Sequence, residues 1–207
     1  MNKYAKALGA LLGLIFWCSN VFAAASANDS GAAQTYAIKG VHLSDDDFMA
    51  PWRSYEEKTQ KLNDSVDQAY CYTPFLVVAI DARNKLADHL PVYVPEGEKL
   101  WQDYAGFLTF AVQLYQTDST LPQGVAVWLE QDQKIFSPVQ SNLPSELKVV
   151  APSSAPVAGA PKPRQLYLFA AYYYFPDEGI SHDRPVILCV ANKEKKYRFF
   201  FDMKKIR

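Results

Sequence analysis

The stretch VILCVANKEKKYRFFFDM, residues 186–203, reads as a β-hairpin and sets the class of the whole chain. Val186–Ala191 and Tyr197–Met203 are runs of strand length, and Asn192-Lys193-Glu194-Lys195-Lys196 between them is turn material. Successive strand side chains point to opposite faces. Tyr197, Phe199 and Phe201 therefore project one way, and Arg198, Phe200 and Asp202 the other.

The same period continues toward the N-terminus. Leu166–Phe175 predicts a long aromatic strand on which Tyr172, Tyr173 and Tyr174 alternate faces, with both faces expected to be buried. Val125–Leu129 and Lys134–Phe136, around Glu130-Gln131-Asp132-Gln133, predict a second hairpin. Phe107–Gln116 alternates, with Leu108, Phe110, Val112 and Leu114 opposite Thr109 and Gln113. Phe75–Ala82 is almost continuously apolar and is expected to be a central strand, and Tyr36–Leu43 to be the first strand.

One helix is expected. Trp52, Tyr55, Thr59, Leu62, Val66 and Ala69 recur at steps of three and four, Pro51 suits a first turn, and Ser44 with Asp47 forms a capping-box pattern. Asp45, Asp46 and Asp47 are adjacent, so their side chains diverge, and helix capping explains them better than a metal site. The expected fold is mainly β: an antiparallel β-sandwich, loosely immunoglobulin-like, with one inserted amphipathic helix. Pro138–Pro163 is a proline-stiffened loop within one domain spanning residues 35–207.

Lys3 and Lys6, the apolar run Ala7–Trp17 and Val21-Phe22-Ala23 predict a signal peptide over residues 1–23, followed by a flexible lead over 24–34. The expected destination is periplasmic or extracellular, with no transmembrane segment after cleavage. Cleavage removes Cys18, and in an oxidising compartment Cys71 and Cys189 are expected to pair, a bridge worth about 4–5 kcal/mol in chain-entropy terms.

Apolar residues make up 49% and charged residues 21%, which suits a globular chain. Losing Lys3 and Lys6 takes the net charge from −1 to −3, and the basic side chains then cluster at the C-terminus. A mildly acidic body with a basic tail is not the profile of a nucleic-acid binder. The common nucleotide, zincin and serine-hydrolase signatures are missing, and no cofactor or metal is expected.

Two candidate sites follow. Lys193, Lys195, Lys196, Arg198, Lys204 and Lys205 make a basic patch over aromatic residues, suited either to an anionic surface or to protecting a sheet edge. The loop Pro176–Pro185 gathers His182 with Asp183 and Glu178, which would orient it as a proton carrier. The expected function is a non-catalytic binding or assembly protein of a cell envelope, meeting an envelope protein or an anionic envelope surface. The alternative is a small exported hydrolase using the Asp177–Arg184 loop.

Overall fold

A computed structural model describes residues 27–58, 65–150 and 165–206. The expected signal peptide, and residues 151–163 of the proline-rich run, lie outside them. The fold is mainly β, with antiparallel strands in two sheets and a few helices. Residues 138–163 do not read as loop throughout, because two short strands occupy part of the run.

The larger sheet contains β1 (Arg53–Tyr55), β2 (Gln68–Tyr72), β3 (Phe107–Gln116), β6 (Gln140–Asn142), β7 (Lys148–Val150) and β8 (Leu166–Pro176). Its order is β1-β2-β3-β8, and β6 and β7 pair in tandem along the far side of β8. The smaller sheet has the order β10-β9-β4-β5, from β4 (Ala126–Gln131), β5 (Lys134–Phe136), β9 (Val186–Ala191) and β10 (Lys196–Phe201). Both hairpins predicted from alternation are present, as are the strands at 107–116 and 166–175.

Register explains the core. Cys71, Phe110 and Tyr173 are directly paired across three strands, as are Leu108 with Phe175, and Leu114 with Phe169. All of these residues are buried on one face of the larger sheet. Val186, Leu188, Val190, Phe199 and Phe201 form the buried face of the smaller one. The two faces meet where the Phe110 ring lies 5.2 Å from Phe201 and 5.6 Å from Phe175. A bridge between Glu56 and Phe199 also joins the sheets along one side. On the other side β5 runs into β6 through Ser137-Pro138-Val139.

The helices differ from expectation. Residues 27–40, predicted as lead and strand, form helix α1 (Ala27–Gly40). Its buried stripe is Ser30, Ala33, Gln34 and Ala37, a helical spacing built from small and polar side chains. Phe75–Ala82, predicted as a central strand, lies in helix α3 (Pro74–Ala87). Thr73 caps it by accepting a hydrogen bond from the Leu76 amide at 3.3 Å, and Pro74 occupies the first turn.

The helix expected over 52–69 is absent where that segment is described. Residues 53–55 and 68–72 are paired strands, and 59–64 lie outside the described residues. Ser44 does cap a helix, the short α2 (Asp45–Met49), by accepting from the Asp47 amide at 3.1 Å. α3 leaves the end of β2, and helix α4 (Val94–Tyr104) leads into the start of β3, so α1, α3 and α4 pack together at that end of the larger sheet. Trp52 joins their aromatic contacts, with Tyr36 at 5.4 Å and Phe75 at 6.0 Å.

Cys71 and Cys189 are both free and buried, so the expected disulfide is not seen. The reason is register. Cys71 shares the inner face with Phe110, whereas Cys189 pairs with Arg198 and Trp128 on the outer face of the smaller sheet. A sheet and its core separate the two sulfurs. Burial pushes both thiols up, that of Cys189 to about 11. A chain beginning at Ala24 should therefore show no thiol reacting with a thiol reagent while folded. Two should be exposed by denaturant without reductant; finding none after unfolding would reinstate the bridge.

Candidate functional site

The basic hairpin lies at the edge of the smaller sheet, and register arranges its outer face in three rows across the strands. One row is Phe200, Ile187, Glu130 and Ile135; the next is Arg198, Cys189 and Trp128; the third is Lys196, Ala191 and Ala126. Phe200 is 49% exposed and Ile135 70%. Ile187 and the exposed Ile135 therefore flank Glu130, and Phe200 ends the row.

Glu130 organises the polar part. Trp128 Nε1 donates to its Oε1 at 2.8 Å, Lys196 Nζ lies 3.3 Å from the same oxygen, and the Arg198 guanidinium is 3.7 Å from its Oε2. The bond from Trp128, followed by those from Cys189 and Lys196, holds the carboxyl below its ordinary range. Lys196 also sits 4.8 Å over the Trp128 ring.

The candidate cations are mostly engaged inside the chain. Lys195 Nζ is 3.4 Å from the buried Asp67 carboxylate and lies 4.2 Å over the Tyr197 ring. Arg198 also reaches Glu57 at 3.9 Å, and Lys205 pairs with Asp202 at 3.1 Å. Lys193 and Lys204 have no ion pair among the described residues. The patch is thus closer to neutral than its sequence implies. Sequence reasoning missed the reason, since Asp67, Glu57 and Glu130 come from distant segments that only strand pairing brings alongside.

The second candidate loop is built as a turn. Asp177–Ile180 closes with an Ile180 amide bond to the Asp177 carbonyl at 3.1 Å, and Gly179 takes φ +82°. Ile180 is buried in the core. The buried Gln131 side chain pins the next residues: its Oε1 accepts from the Ser181 amide at 2.7 Å, and its Nε2 donates to the Ser181 carbonyl at 2.8 Å and the Arg184 carbonyl at 3.3 Å. Arg184 pairs with Asp132 at 2.7 Å.

His182 is oriented by Asp177 rather than by Asp183 or Glu178. Its Nε2 lies 2.8 Å from Asp177 Oδ1, and this bond raises the imidazole above its ordinary value. Asp183 offers its backbone amide to Ser181 Oγ at 3.3 Å, and Glu178 is exposed. The loop therefore holds one imidazole–carboxylate pair, half-exposed, on a turn held by the Gln131 side chain and the Arg184–Asp132 pair. No group of three or more metal-ligating side chains is found among the described residues, and no helix among them is long and apolar enough to cross a membrane.

Comparison with protein-family models, with curated proteins and with solved structures returned no match.

Proposed function

We propose that this chain is a non-catalytic binding or assembly protein exported to a cell envelope, a two-sheet sandwich that meets a partner protein through the outer face of its smaller sheet. The observation that carries this reading is the row Phe200, Ile187, Glu130 and Ile135, with Trp128 beside it: apolar side chains surround a carboxylate whose charge Lys196 and Arg198 already answer. Aromatic residues and Arg at the centre with compensated charge are the composition of a protein contact. An anionic surface would instead ask for unpaired cations, and most of these are paired. Four strands of this length make a patch of about 15 by 20 Å, so the contact is of modest size.

The test is co-sedimentation of the mature protein with isolated envelope material at low and high salt. A Phe200→Asp variant and a Lys195/Lys196/Arg198→Ala variant accompany it. Binding that persists at high salt and weakens about tenfold or more in Phe200→Asp is expected. Salt-sensitive binding lost only in the triple variant would make the hairpin a reader of anionic surfaces. No binding at low salt would sink both. The hydrolase alternative rests on the His182–Asp177 pair alone. It would require an ester- or amide-cleaving activity of the folded protein that disappears in His182→Asn.

A further inference from the structure

The connection between α3 and α4 begins polar, at Asp88 and His89, and then turns apolar. From Leu90 to Pro95 it carries no charged or amide side chain, and the Tyr93 hydroxyl is its one polar side-chain group. Leu90, Tyr93 and Val94 are each about half exposed. Residues 87–91 and 93–96 are all exposed, so no other described element covers this tip. It is a projection between two helices rather than a groove. Single exposed apolar side chains are ordinary on a soluble protein, but a contiguous run of them marks a contact.

The tip is held from beneath. Gln34 of α1, itself buried, donates from Nε2 to the Tyr93 carbonyl at 3.2 Å, and the Gly97 amide donates to the same oxygen at 3.3 Å. The amides of Asp88, His89 and Leu90 donate to the carbonyls of Asn84, Leu86 and Lys85 at 2.7–3.1 Å. Pro91 and Pro95 have no amide to satisfy. The bordering lysines are paired: Lys85 lies 2.7 Å from both Asp81 and Glu96, and Lys99 lies 3.1 Å from Asp103.

We propose that the loop Leu90–Val94 inserts into the interfacial layer of a lipid bilayer. Backbone groups already bonded inside the chain lose least on leaving water, which is the condition for entering lipid. A tyrosine among aliphatic residues suits the boundary, with its ring among acyl chains and its hydroxyl at the headgroups. The paired lysines favour a zwitterionic surface over an anionic one. The chain preceding α1 points to the same occupant. Residues 18–26 link the apolar run Ala7–Trp17, read as a signal, to Ala27, a reach of up to about 35 Å. Gln34, which holds the loop, stands about 10 Å along α1 from Ala27. An export precursor held by that run keeps the loop within reach of the same membrane. The proposal takes export from the reading above, but not the partner contact on the smaller sheet.

Flotation of the mature protein, beginning at Ala24, with phosphatidylcholine vesicles tests it. Half of the protein is expected to float at about millimolar lipid, weaker than a single acyl chain would give, and salt should not change this. Leu90→Asp/Val94→Asp should weaken flotation about tenfold or more. Tyr93→Trp should float at least as well as wild type, and its added indole emission should shift to the blue with vesicles. All three side chains are exposed, so both variants should melt within a few degrees of wild type. Phe200→Asp should float as wild type even where its envelope binding is lost. No flotation of folded protein at about 10 mM lipid, or flotation indifferent to Leu90→Asp/Val94→Asp, overturns the proposal. So does flotation that needs anionic lipid and vanishes at high salt. Envelope binding lost in Leu90→Asp/Val94→Asp without any flotation overturns it too, since the loop would then be a protein contact.

Discussion

Phe110→Ala should cost about 3–5 kcal/mol of unfolding free energy, the range for removing a large ring from a closed core. The reason is position. Phe110 is fully buried on β3, paired with Cys71 on one side and Tyr173 on the other, and its ring touches Phe175 of its own sheet and Phe201 of the smaller one. Truncation opens a cavity at the junction of the two sheets, where neither can collapse without shifting its strand register. Against a total of about 5–15 kcal/mol, such a loss is a large fraction of the stability. Denaturant unfolding is the measurement, with the midpoint falling and the slope unchanged. Phe200→Ala is the control, one residue from Phe201 but facing outward, and should cost less than about 1 kcal/mol. If Phe110→Ala proved as mild as that control, the two sheets would not share a core at this point.

That contrast between neighbouring phenylalanines was legible in the sequence, because a strand's period of two assigns faces without any knowledge of the fold. The hairpins at 125–136 and 186–203 were legible for the same reason, each being two alternating runs about a polar turn. The helices were not. α1 buries Ser30, Ala33, Gln34 and Ala37, which carry the helical spacing but not the bulk that makes a stripe visible. The small stripe suits its place: a Cβ on Gly97 of α4 would collide with Gln34, so the helices are closely packed. α3 is buried on most sides, and its Phe-Leu-Val-Val run looks like an inner strand. The Thr73-Pro74 cap was the signal that should have decided it.

The false helix over 52–69 has the opposite origin. Trp52, Tyr55 and Ala69 stand at helical steps, but Trp52 anchors the aromatic contacts of the helices while Tyr55 and Ala69 lie on β1 and β2. For the candidate sites, sequence found the basic residues and His182. Their partners Asp67, Glu130 and Asp177 depend on folding to be placed beside them, although Asp177 lies only five residues from His182.

Gln131 is where the second large effect is expected. It ends β4 just before the tight turn at Asp132 and Gln133, both with positive φ, and its side chain is buried against the loop that follows β8. Gln131→Ala would strip partners from the Ser181 amide, the Ser181 carbonyl and the Arg184 carbonyl together, at a cost of about 2–3 kcal/mol. Gln131→Glu should fare no better. A carboxylate still accepts from the Ser181 amide, but it faces the carbonyl oxygens of Ser181, Arg184 and Pro185 that the lost amino group had bonded. Hydrogen exchange at the Ser181 amide should accelerate in both variants.

His182 supplies an independent readout of the same loop. Its folded pKa is raised by Asp177, so the pair's contribution is complete below the imidazole's unfolded value and is lost as pH rises through the folded one. With the imidazole half-exposed, that contribution stays under about 1 kcal/mol. Freeing the loop in Gln131→Ala should separate the pair and return the His182 titration, followed by NMR, toward its ordinary position. A variant within about 0.5 kcal/mol of wild type, with its imidazole unmoved, would mean that Ile180 and the Gly179 turn hold the loop without Gln131. The turn would then be free to vary its polar residues, and the case for chemistry at His182 would rest on a scaffold that does not need the clamp.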